Sequence, residues 1–260
     1  MTGLMGSDFS KVLAKRFEIL HTLNEQPQRK PELVESVDCS RSTVDRAITE
    51  LLQYDCVESH NREYRTTPLG RASLNIRQEY LDKIHDVQRA SDILNKNPNL
   101  KELPSVFLRQ VTVSTADPQF PESALSSSTA RLRQSERMVG LAPVVLKSYI
   151  DDVEAAVRET QCTAEIIVSE GVLSELVDYR ESFTELIDSG RVVLLVTDDE
   201  LPYALWIMEG VDGEVAGITV HQHGGVRGML TNIASEAVEW AREQYESFKA
   251  DTTRYQLVEN

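Results

Sequence analysis

The sequence predicts a two-domain protein that combines the α+β and α/β classes, and three observations support this prediction. Within residues 1–97 the apolar pattern is mainly helical, and one short stretch alternates as strands do. Over residues 98–260, strand patterns alternate with amphipathic helix patterns, which is typical of a mixed α/β sheet domain. A length of 260 residues is sufficient for two domains.

Charge is distributed unevenly along the chain. The formal net charge is −15, but residues 9–77 carry +1 and the remainder carries −16. The basic residues are 19 Arg and 8 Lys, and excess carboxylate with few lysines resembles cytosolic proteins of salt-accumulating archaea. The near-neutral segment is therefore the informative exception in an acidic, halophilic-type chain.

Targeting and redox features are few. No apolar run approaches the roughly 18 residues of a membrane helix, and the charged N-terminal residues exclude a signal peptide. We therefore expect a cytoplasmic location and no membrane partner. Cys39, Cys56 and Cys162 have no paired spacing, which disfavours a disulfide framework or a zinc ribbon. A redox switch between Cys39 and Cys56 is the alternative to small, half-buried residues, which is the better interpretation.

Three helices are predicted in the first 54 residues. Residues 9–24 repeat apolar side chains at a period near 3.6. Pro31 opens a short second helix over 31–38, because proline is tolerated in the first helical turn. Ser40 is the expected N-cap of a third helix over 41–54. The expected buried face of this third helix is Val44, Ala47, Ile48, Leu51 and Leu52.

The remaining faces of the third helix are polar and basic, as a helix that enters the DNA major groove requires. The N–H groups at its start suit a phosphate. Arg41 and Arg46 are long enough to reach a guanine edge, and Asp45 is expected to accept from a cytosine amino group or to orient an arginine. The candidate DNA-binding residues of this helix are Ser40, Arg41, Ser42, Thr43, Asp45, Arg46 and Thr49.

Residues 56–66 predict two short strands around a polar turn. Such a hairpin is the wing of a winged helix-turn-helix domain, here residues 1–67, and we expect it to contact the DNA backbone. The candidate residues of the wing are His60, Asn61, Arg62 and Arg65. The alternative is a three-helix module used only for protein contacts, but helix spacing, wing and local charge agree on DNA.

A longer linker helix is predicted over 68–97, opened by Thr67 as N-cap and Pro68 in the first position. Its apolar stripe consists of Leu69, Ile76, Tyr80, Ile84, Val87 and Leu94. We expect this stripe to pair with its twin in a homodimer. The alternative is that the stripe packs on the chain's own second domain.

The second domain, residues 98–260, is predicted to alternate strands and helices. The expected strands are 109–115, 163–169, 191–197, 203–209, 214–222 and 226–232, the last three as an antiparallel meander. The expected helices are 121–138, 146–160, 171–190 and 233–248.

Three stretches of this domain, SGRVVLLVTDDELPYAL, GGVRGML and EAVEWAREQYE, lie within residues 174–248. They resemble the effector domain of the methanogenesis-regulator family, euryarchaeal transcription factors with many haloarchaeal members. The resemblance implies a dimeric transcriptional regulator with an N-terminal winged helix and a second domain that senses an effector. Residues 100–140 match weakly, and the N-terminal half matches as a generic winged helix.

Candidate ligand-binding residues lie near strand ends, because open α/β sheets bind ligands beyond the carboxyl ends of strands. The candidates are Ser169, Asp198, Asp199, Tyr203, Trp206 and His221. The alternatives are a solvated acidic loop for Asp198 and Asp199, and core packing for the two aromatic residues. His221 and His223 have a spacing that suits a metal on a strand, but polar hairpin residues are the better interpretation.

Catalytic motifs are missing from the sequence, which contains no Walker loop, GxSxG or HExxH pattern. We therefore expect no enzymatic activity, no cofactor and no metal. The expected partners are double-stranded DNA, a second copy of the chain and an unknown small-molecule effector. The alternative is a ligand-sensing or enzymatic α/β protein whose winged helix mediates protein–protein contacts.

Overall fold

The computed structural model describes residues 2–95, 97–101, 103–117, 119–144, 146–179, 181–222 and 225–255. The chain divides into two compact units, Met1–Ile84 and His85–Asn260. The two-domain α+β organisation is therefore confirmed. The boundary between the units lies inside the helix Pro68–Arg89, and the predicted three-part division with a separate linker stays a prediction.

Helices and one hairpin make up the first unit. Its elements are α1 (Thr2–Lys15), α2 (Phe17–Glu25), α3 (Lys30–Ser36), α4 (Arg41–Gln53), β1 (Val57–His60), β2 (Glu63–Thr66) and α5 (Pro68–Arg89), which continues into the second unit. The helix predicted over 9–24 is interrupted at Arg16, whose backbone (φ −112°, ψ 15°) departs from helical values. The Arg16 side chain is only 5% exposed, so the interruption places a charged group in the interior.

The position of α4 follows from its cap and its apolar face. Ser40 Oγ accepts a hydrogen bond from the Thr43 N–H at 3.2 Å, as an N-cap does. Leu52, predicted to be buried, is 38% exposed because it lies about 100° around the helix from Leu51. The buried residues of α4 are Val44, Ala47, Ile48 and Leu51, which belong to one core with Leu20, Leu23 and Leu33.

The hairpin forms where the alternation predicted it. β1 and β2 are antiparallel, with Val57 opposite Thr66 and His60 opposite Glu63. The backbone of Gln28, which precedes α3, adds a bridge to Tyr64 through hydrogen bonds of 3.1 and 2.8 Å. Helices and hairpin together confirm the predicted winged helix-turn-helix fold.

The predicted helix over 68–97 is shorter than expected. α5 ends at Arg89, and a separate helix α6 (Ser91–Leu94) follows the buried Ala90. Leu94 is therefore not part of the α5 stripe, and it packs against the core of the second unit. The other predicted members of the stripe are exposed, namely Leu69, Ile76, Tyr80, Ile84 and Val87.

A mixed sheet organises the second unit. Its elements after α6 are α7 (Ser105–Leu108), β3 (Thr112–Thr115), α8 (Ser126–Leu132), β4 (Ser135–Ala142), α9 (Lys147–Glu159), β5 (Thr163–Ser169), α10 (Glu170–Tyr179), α11 (Glu181–Asp188), β6 (Val192–Thr197), β7 (Ala204–Gly210), β8 (Gly213–Gln222), β9 (Gly225–Asn232), α12 (Ser235–Lys249) and β10 (Thr253–Arg254). The strand order within the described residues is β10-β6-β5-β4-β7-β8-β9-β3. β4, β5 and β6 are parallel, whereas β7, β8 and β9 form the predicted antiparallel meander.

The helix predicted over 121–138 is wrong in its last part. A 3-10 turn and α8 occupy its first part, and β4 begins at Ser135. β4 pairs with β5 on one side and β7 on the other, and its Met138 and Val139 are buried. Pairing on both edges therefore overrides the helical character of the local sequence. The helix predicted over 171–190 is present as α10 and α11.

Helices cover both faces of the sheet, and each face has its own core. Leu205 and Ile207 of β7 face the core that includes α12 residues such as Tyr245. Trp206 and Met208 face the opposite core, which includes residues of α9, α10 and α11. The alternation along β7 therefore assigns neighbouring side chains to different layers.

Candidate nucleic-acid interface

The first turn of α4 carries a cluster of hydroxyl and basic side chains. Ser40 Oγ lies 2.9 Å from Ser42 Oγ and 2.8 Å from Thr43 Oγ1. Arg41 and Ser42 are exposed, whereas Thr43 is half-buried. Since the free N–H groups and the dipole of a helix start both favour an anion, this turn can receive a phosphate.

The exposed face continues along α4. Ser42, Arg46 and Thr49 follow the i, i+4, i+7 spacing and therefore share one side of the helix. Arg46 and Thr49 are exposed, and Thr49 Oγ1 donates to the Asp45 carbonyl at 2.9 Å. Within the described residues no ion pair involves Arg41 or Arg46. Both guanidinium groups are thus available to an external partner.

Asp45 is held by a lysine from the preceding helix. Lys30 Nζ lies 2.7 Å from Asp45 Oδ1, and the hydrogen bond from Lys30 keeps the pKa of the Asp45 carboxyl below its usual value. In the protein alone, the hydrogen-bond partner of Asp45 is therefore Lys30 and not Arg41 or Arg46. No local pattern links residues 15 positions apart, so this pair could not be predicted before the fold was known.

A second ion pair fixes the other end of α4. Arg16 Nε donates to Glu50 Oε2 at 2.8 Å, and a second guanidinium nitrogen donates to Glu50 Oε1 at 3.2 Å. The hydrogen bond from Arg16 lowers the pKa of Glu50. The sequence analysis missed Arg16, although it lies among apolar residues of the first predicted helix. A buried charge needs an oppositely charged partner, so an arginine inside an apolar helix pattern was the signal that an ion pair lies there.

The tip of the hairpin has an unusual backbone. Asn61 (φ +50°) and Arg62 (φ +67°) form the two-residue turn between His60 and Glu63. Positive φ at both positions defines a type I′ turn, in which asparagine and glycine are favoured. An arginine in this region costs about 1–2 kcal/mol. Arg62 is exposed and has no ion pair within the described part of the chain.

Arg65, the remaining predicted wing arginine, differs from Arg62. Its Nε donates to Glu58 Oε1 at 2.6 Å across the hairpin, and both side chains are about half exposed. His60 and Asn61 are exposed at the tip. The wing therefore presents one unpaired arginine, and a second arginine that is paired with a carboxylate.

The predicted ligand-binding residues do not form one site. Ser169 and Thr197 are paired at the ends of β5 and β6, and Asp198 and Asp199 follow as exposed residues. Tyr203 packs against the core on the α12 side of the sheet. Trp206 and His221 lie together instead, lining a cavity on the other side. His223 lies outside the described residues.

The cysteines of the first unit are free thiols. Cys56 is fully buried, and burial raises the pKa of its thiol. Cys39 is half-buried. Because the thiolate is the reactive form, the burial of Cys56 disfavours the redox switch.

A winged helix with an exposed basic turn, followed by a mixed α/β unit, defines a two-domain protein of the helix-turn-helix regulator class. Comparison with known families agrees. Residues 121–251 match the family described as "Methanogenesis regulatory protein FilR1, middle domain", and residues 4–89 match the "HVO_A0261 N-terminal domain". The first match spans half of the chain, which therefore belongs to this family of archaeal transcriptional regulators, as the resemblance predicted.

Several solved structures are distantly similar. The archaeal chromatin protein TrmBL2 shares 11% identity over 93% of both chains, with a TM-score of 0.44. Nuc from Salmonella typhimurium, a phospholipase D family member, shares 13% identity over 57% of this chain and 100% of its own, with a TM-score of 0.42. NucT from Helicobacter pylori shares 8% identity over 56% and 99% of the two chains, with a TM-score of 0.41.

No curated protein matches the chain significantly. Among the helices of the described residues, none combines the length and the apolar character that crossing a bilayer requires.

Proposed function

We propose that this regulator binds double-stranded DNA in a sequence-specific manner, with α4 in the major groove and the β1–β2 wing on the backbone. The observation that carries the proposal is the exposed N-terminal turn of α4. Within the described residues its arginines form no ion pair with a carboxylate, in a chain of net charge −15. An acidic protein that leaves such groups unpaired at a helix start offers a site for an anion.

The side chains of α4 divide into two roles. Arg41 and Arg46 read base edges, since a bidentate arginine–guanine pair contributes about 1–3 kcal/mol of discrimination. Ser42, Thr43 and Thr49 carry hydroxyls that donate to phosphates or bases. Asp45 gives up its hydrogen bond from Lys30 only where a cytosine amino group takes the place of the lysine as donor. Ser40 keeps its role as the N-cap of α4.

The wing provides contacts that do not depend on sequence. Arg62 extends from the turn towards a phosphate, flanked by His60 and Asn61. Arg65 replaces its ion pair with Glu58 by a contact with the DNA phosphate backbone. Because these are phosphate contacts, they set register and affinity but carry little sequence information.

Salt is part of this function. The segment 9–77 has a net charge of +1, whereas the rest carries −16 and repels the duplex. At about 1 M salt that repulsion is screened within roughly 3 Å. Direct base contacts then supply more of the affinity. We therefore expect this protein to bind its specific sites more tightly in concentrated salt than in dilute buffer.

The test combines substitution with a salt series. Operator duplexes are selected from random DNA with the wild-type protein, and binding is measured by fluorescence anisotropy. We expect Arg41→Ala with Arg46→Ala to weaken operator binding by at least tenfold while non-specific binding changes less. Lys11→Ala is the control, since it removes an exposed charge from α1. Unchanged operator affinity in the double variant would remove α4 from the interface.

We also propose that the protein acts as a homodimer through α5. The exposed stripe repeats at intervals of seven, four, four and three residues, which keep its side chains on one face of the helix, as an apolar seam between two helices requires. Its members are 39–68% exposed, and their apolar surface is stabilised when a second copy of the same stripe covers it.

The oligomeric state tests this seam. We expect Ile76→Glu with Ile84→Glu to convert a dimer to a monomer in light scattering coupled to size exclusion. Asn75→Glu with Gln78→Glu adds the same charge at exposed α5 positions outside the stripe, and the dimer is retained. A wild-type monomer at micromolar concentration would refute the proposal, as would a double variant that remains a dimer.

The second unit, in this proposal, regulates DNA binding without catalysis. Membership of a regulator family supports this role. A cytoplasmic location, a linker segment over 68–97 that contains α5 and α6, and an effector domain over 98–260 complete the proposed organisation. Coupling requires that the effector binds one state of the protein more tightly than the other.

A further inference from the structure

A small cavity lies within the second unit, on the side of the sheet that faces α9 and α10. Its volume is about 80 Å³, and its walls come from β4, β5, β7, β8, α9, α10 and the 3-10 turn before α8. Val144 at its border is 38% exposed, so the cavity lies close to the surface. Trp206 forms one wall, and its indole occupies the space above Gly217, where an added Cβ would lie 2.1 Å from the ring.

The walls of the cavity carry no charge. None of the described residues that line it is Asp, Glu, Lys or Arg, although 27% of the chain is charged. Transfer of a carboxylate, phosphate or ammonium group into such surroundings is strongly unfavourable without a paired charge. The cavity therefore selects uncharged molecules.

Four polar side chains interrupt the apolar lining, and two of them are hydrogen-bonded to each other. Trp206 Nε1 donates to Thr219 Oγ1 at 3.2 Å. The Tyr149 hydroxyl has the Met138 sulfur at 4.0 Å as its hydrogen-bond partner, and sulfur is a weak acceptor. Within the described residues no hydrogen bond or ion pair engages the His221 imidazole. Tyr149 and His221 therefore each offer a hydrogen-bonding group to a ligand in the cavity.

Both groups are neutral at physiological pH. Burial lowers the pKa of His221 and raises the pKa of Tyr149. A neutral imidazole and a neutral phenol can each donate or accept one hydrogen bond. This pair matches a hydroxyl or carbonyl oxygen better than it matches an ion.

We propose that this cavity is a binding site for a small neutral molecule with a branched or cyclic aliphatic body and a single hydroxyl or carbonyl group. The volume is about half of the 150 Å³ that accommodates benzene in an engineered apolar cavity, which limits the ligand to roughly three to five non-hydrogen atoms, fewer than the six of benzene. Affinity for so small a molecule is limited by its size, so occupancy is expected in the millimolar range.

Tryptophan fluorescence measures occupancy directly. The chain has two tryptophans, and Trp240 packs against Phe107 on the other side of the sheet. In a Trp240→Phe background, Trp206 is the only reporter. We expect isobutanol to change its emission saturably, whereas isobutyrate, with the same carbon skeleton and a charge, has no saturable effect.

Variants locate the site. Ala142→Leu extends a side chain into the cavity and is expected to abolish saturation, whereas Ala155→Leu, at a half-buried α9 position that does not line the cavity, retains it. His221→Leu and Tyr149→Phe each remove one polar group from the lining without leaving a large void. Each is expected to weaken isobutanol binding about fivefold. The proposal is overturned if isobutanol gives no saturable change, if isobutyrate binds equally, or if Ala142→Leu binds like wild type.

A role of this cavity as the effector site rests on the proposed function. Operator binding is therefore measured with and without saturating isobutanol in wild type and Ala142→Leu. We expect a change of at least threefold in wild type only. Unchanged operator affinity at full occupancy overturns the effector role, whereas a protein that binds no DNA at all refutes the proposed function and leaves the fluorescence result to decide the binding site.

Discussion

Replacing Arg62 with glycine separates the stability of the wing from its binding. Arg62 occupies the left-handed region at φ +67°, which costs an L-residue about 1–2 kcal/mol. Glycine removes that cost but loses about 0.5–1 kcal/mol through its larger freedom in the unfolded chain. We therefore expect Arg62→Gly to stabilise the hairpin by about 0.5–1 kcal/mol, which slows amide hydrogen exchange in β1 and β2 about two- to fivefold.

The same substitution removes a phosphate contact. One contact contributes about 0.9 to the slope of log K against log salt. At 0.2 M salt that contact therefore strengthens binding roughly fourfold relative to its contribution at 1 M salt. Arg62→Gly is thus expected to fold better and bind worse. The measurement is anisotropy of a labelled operator duplex between 0.2 and 2 M KCl, with amide exchange on the same protein samples.

Arg62→Lys provides the control. It keeps both the charge and the strained backbone, so its salt slope and its exchange rates should match wild type. Two results would refute the reasoning: an Arg62→Gly variant with the wild-type salt slope, or an Arg62→Lys variant that binds as weakly as the glycine variant.

Two further predictions concern the cores. Gly217→Ala drives a methyl group into the Trp206 ring and should destabilise the second unit by about 1–3 kcal/mol in urea unfolding, whereas Gly171→Ala in α10 meets no atom within 4 Å and should stabilise it by up to about 1 kcal/mol. Glu50→Gln should weaken the pair with Arg16 and so reduce the free energy of unfolding of the first unit by about 1–3 kcal/mol. This loss should appear as a lower thermal midpoint at pH 7. Because Arg16 lowers the pKa of Glu50, this contribution exists above the ordinary value of 4.5 and is lost as the pH falls through the folded-state value, so wild type and variant should converge in acid. A gap that stays constant from pH 7 to pH 3 would contradict the assignment.

Local signals predicted most of the fold. The proline in the first turn of α3, the cap and apolar period of α4, the alternation in the wing and the meander β7–β9 depend on neighbours within a few residues, and these elements formed where expected. β4 was missed because its strand character comes from pairing with β5 and β7, which are distant in sequence. The end of α5 was misplaced because nothing in the local pattern marks Ala90 as a buried residue of the second unit.

The features of the candidate interface likewise fall into those that the local sequence predicts and those that depend on the fold. The exposure of Arg41, Ser42 and Arg46 follows from the period of α4 and was predictable. The pairs Lys30–Asp45 and Arg16–Glu50 join residues 15 and 34 positions apart and required the fold.

The ligand candidates were chosen for their positions near strand ends, where the acidic residues proved to be an exposed loop. The apolar cavity lies instead between layers, and its lining comes from seven elements that no single sequence window contains.

The borders of the large sheet restrict how copies of this protein can associate. In the described residues the outer strands are β10, with two residues, and β3, with four. Such short borders offer few free backbone groups for a strand of another molecule, which protects against edge-to-edge aggregation. In concentrated salt, where apolar contacts strengthen, this limit directs self-association away from backbone pairing and towards side-chain surfaces of the helices.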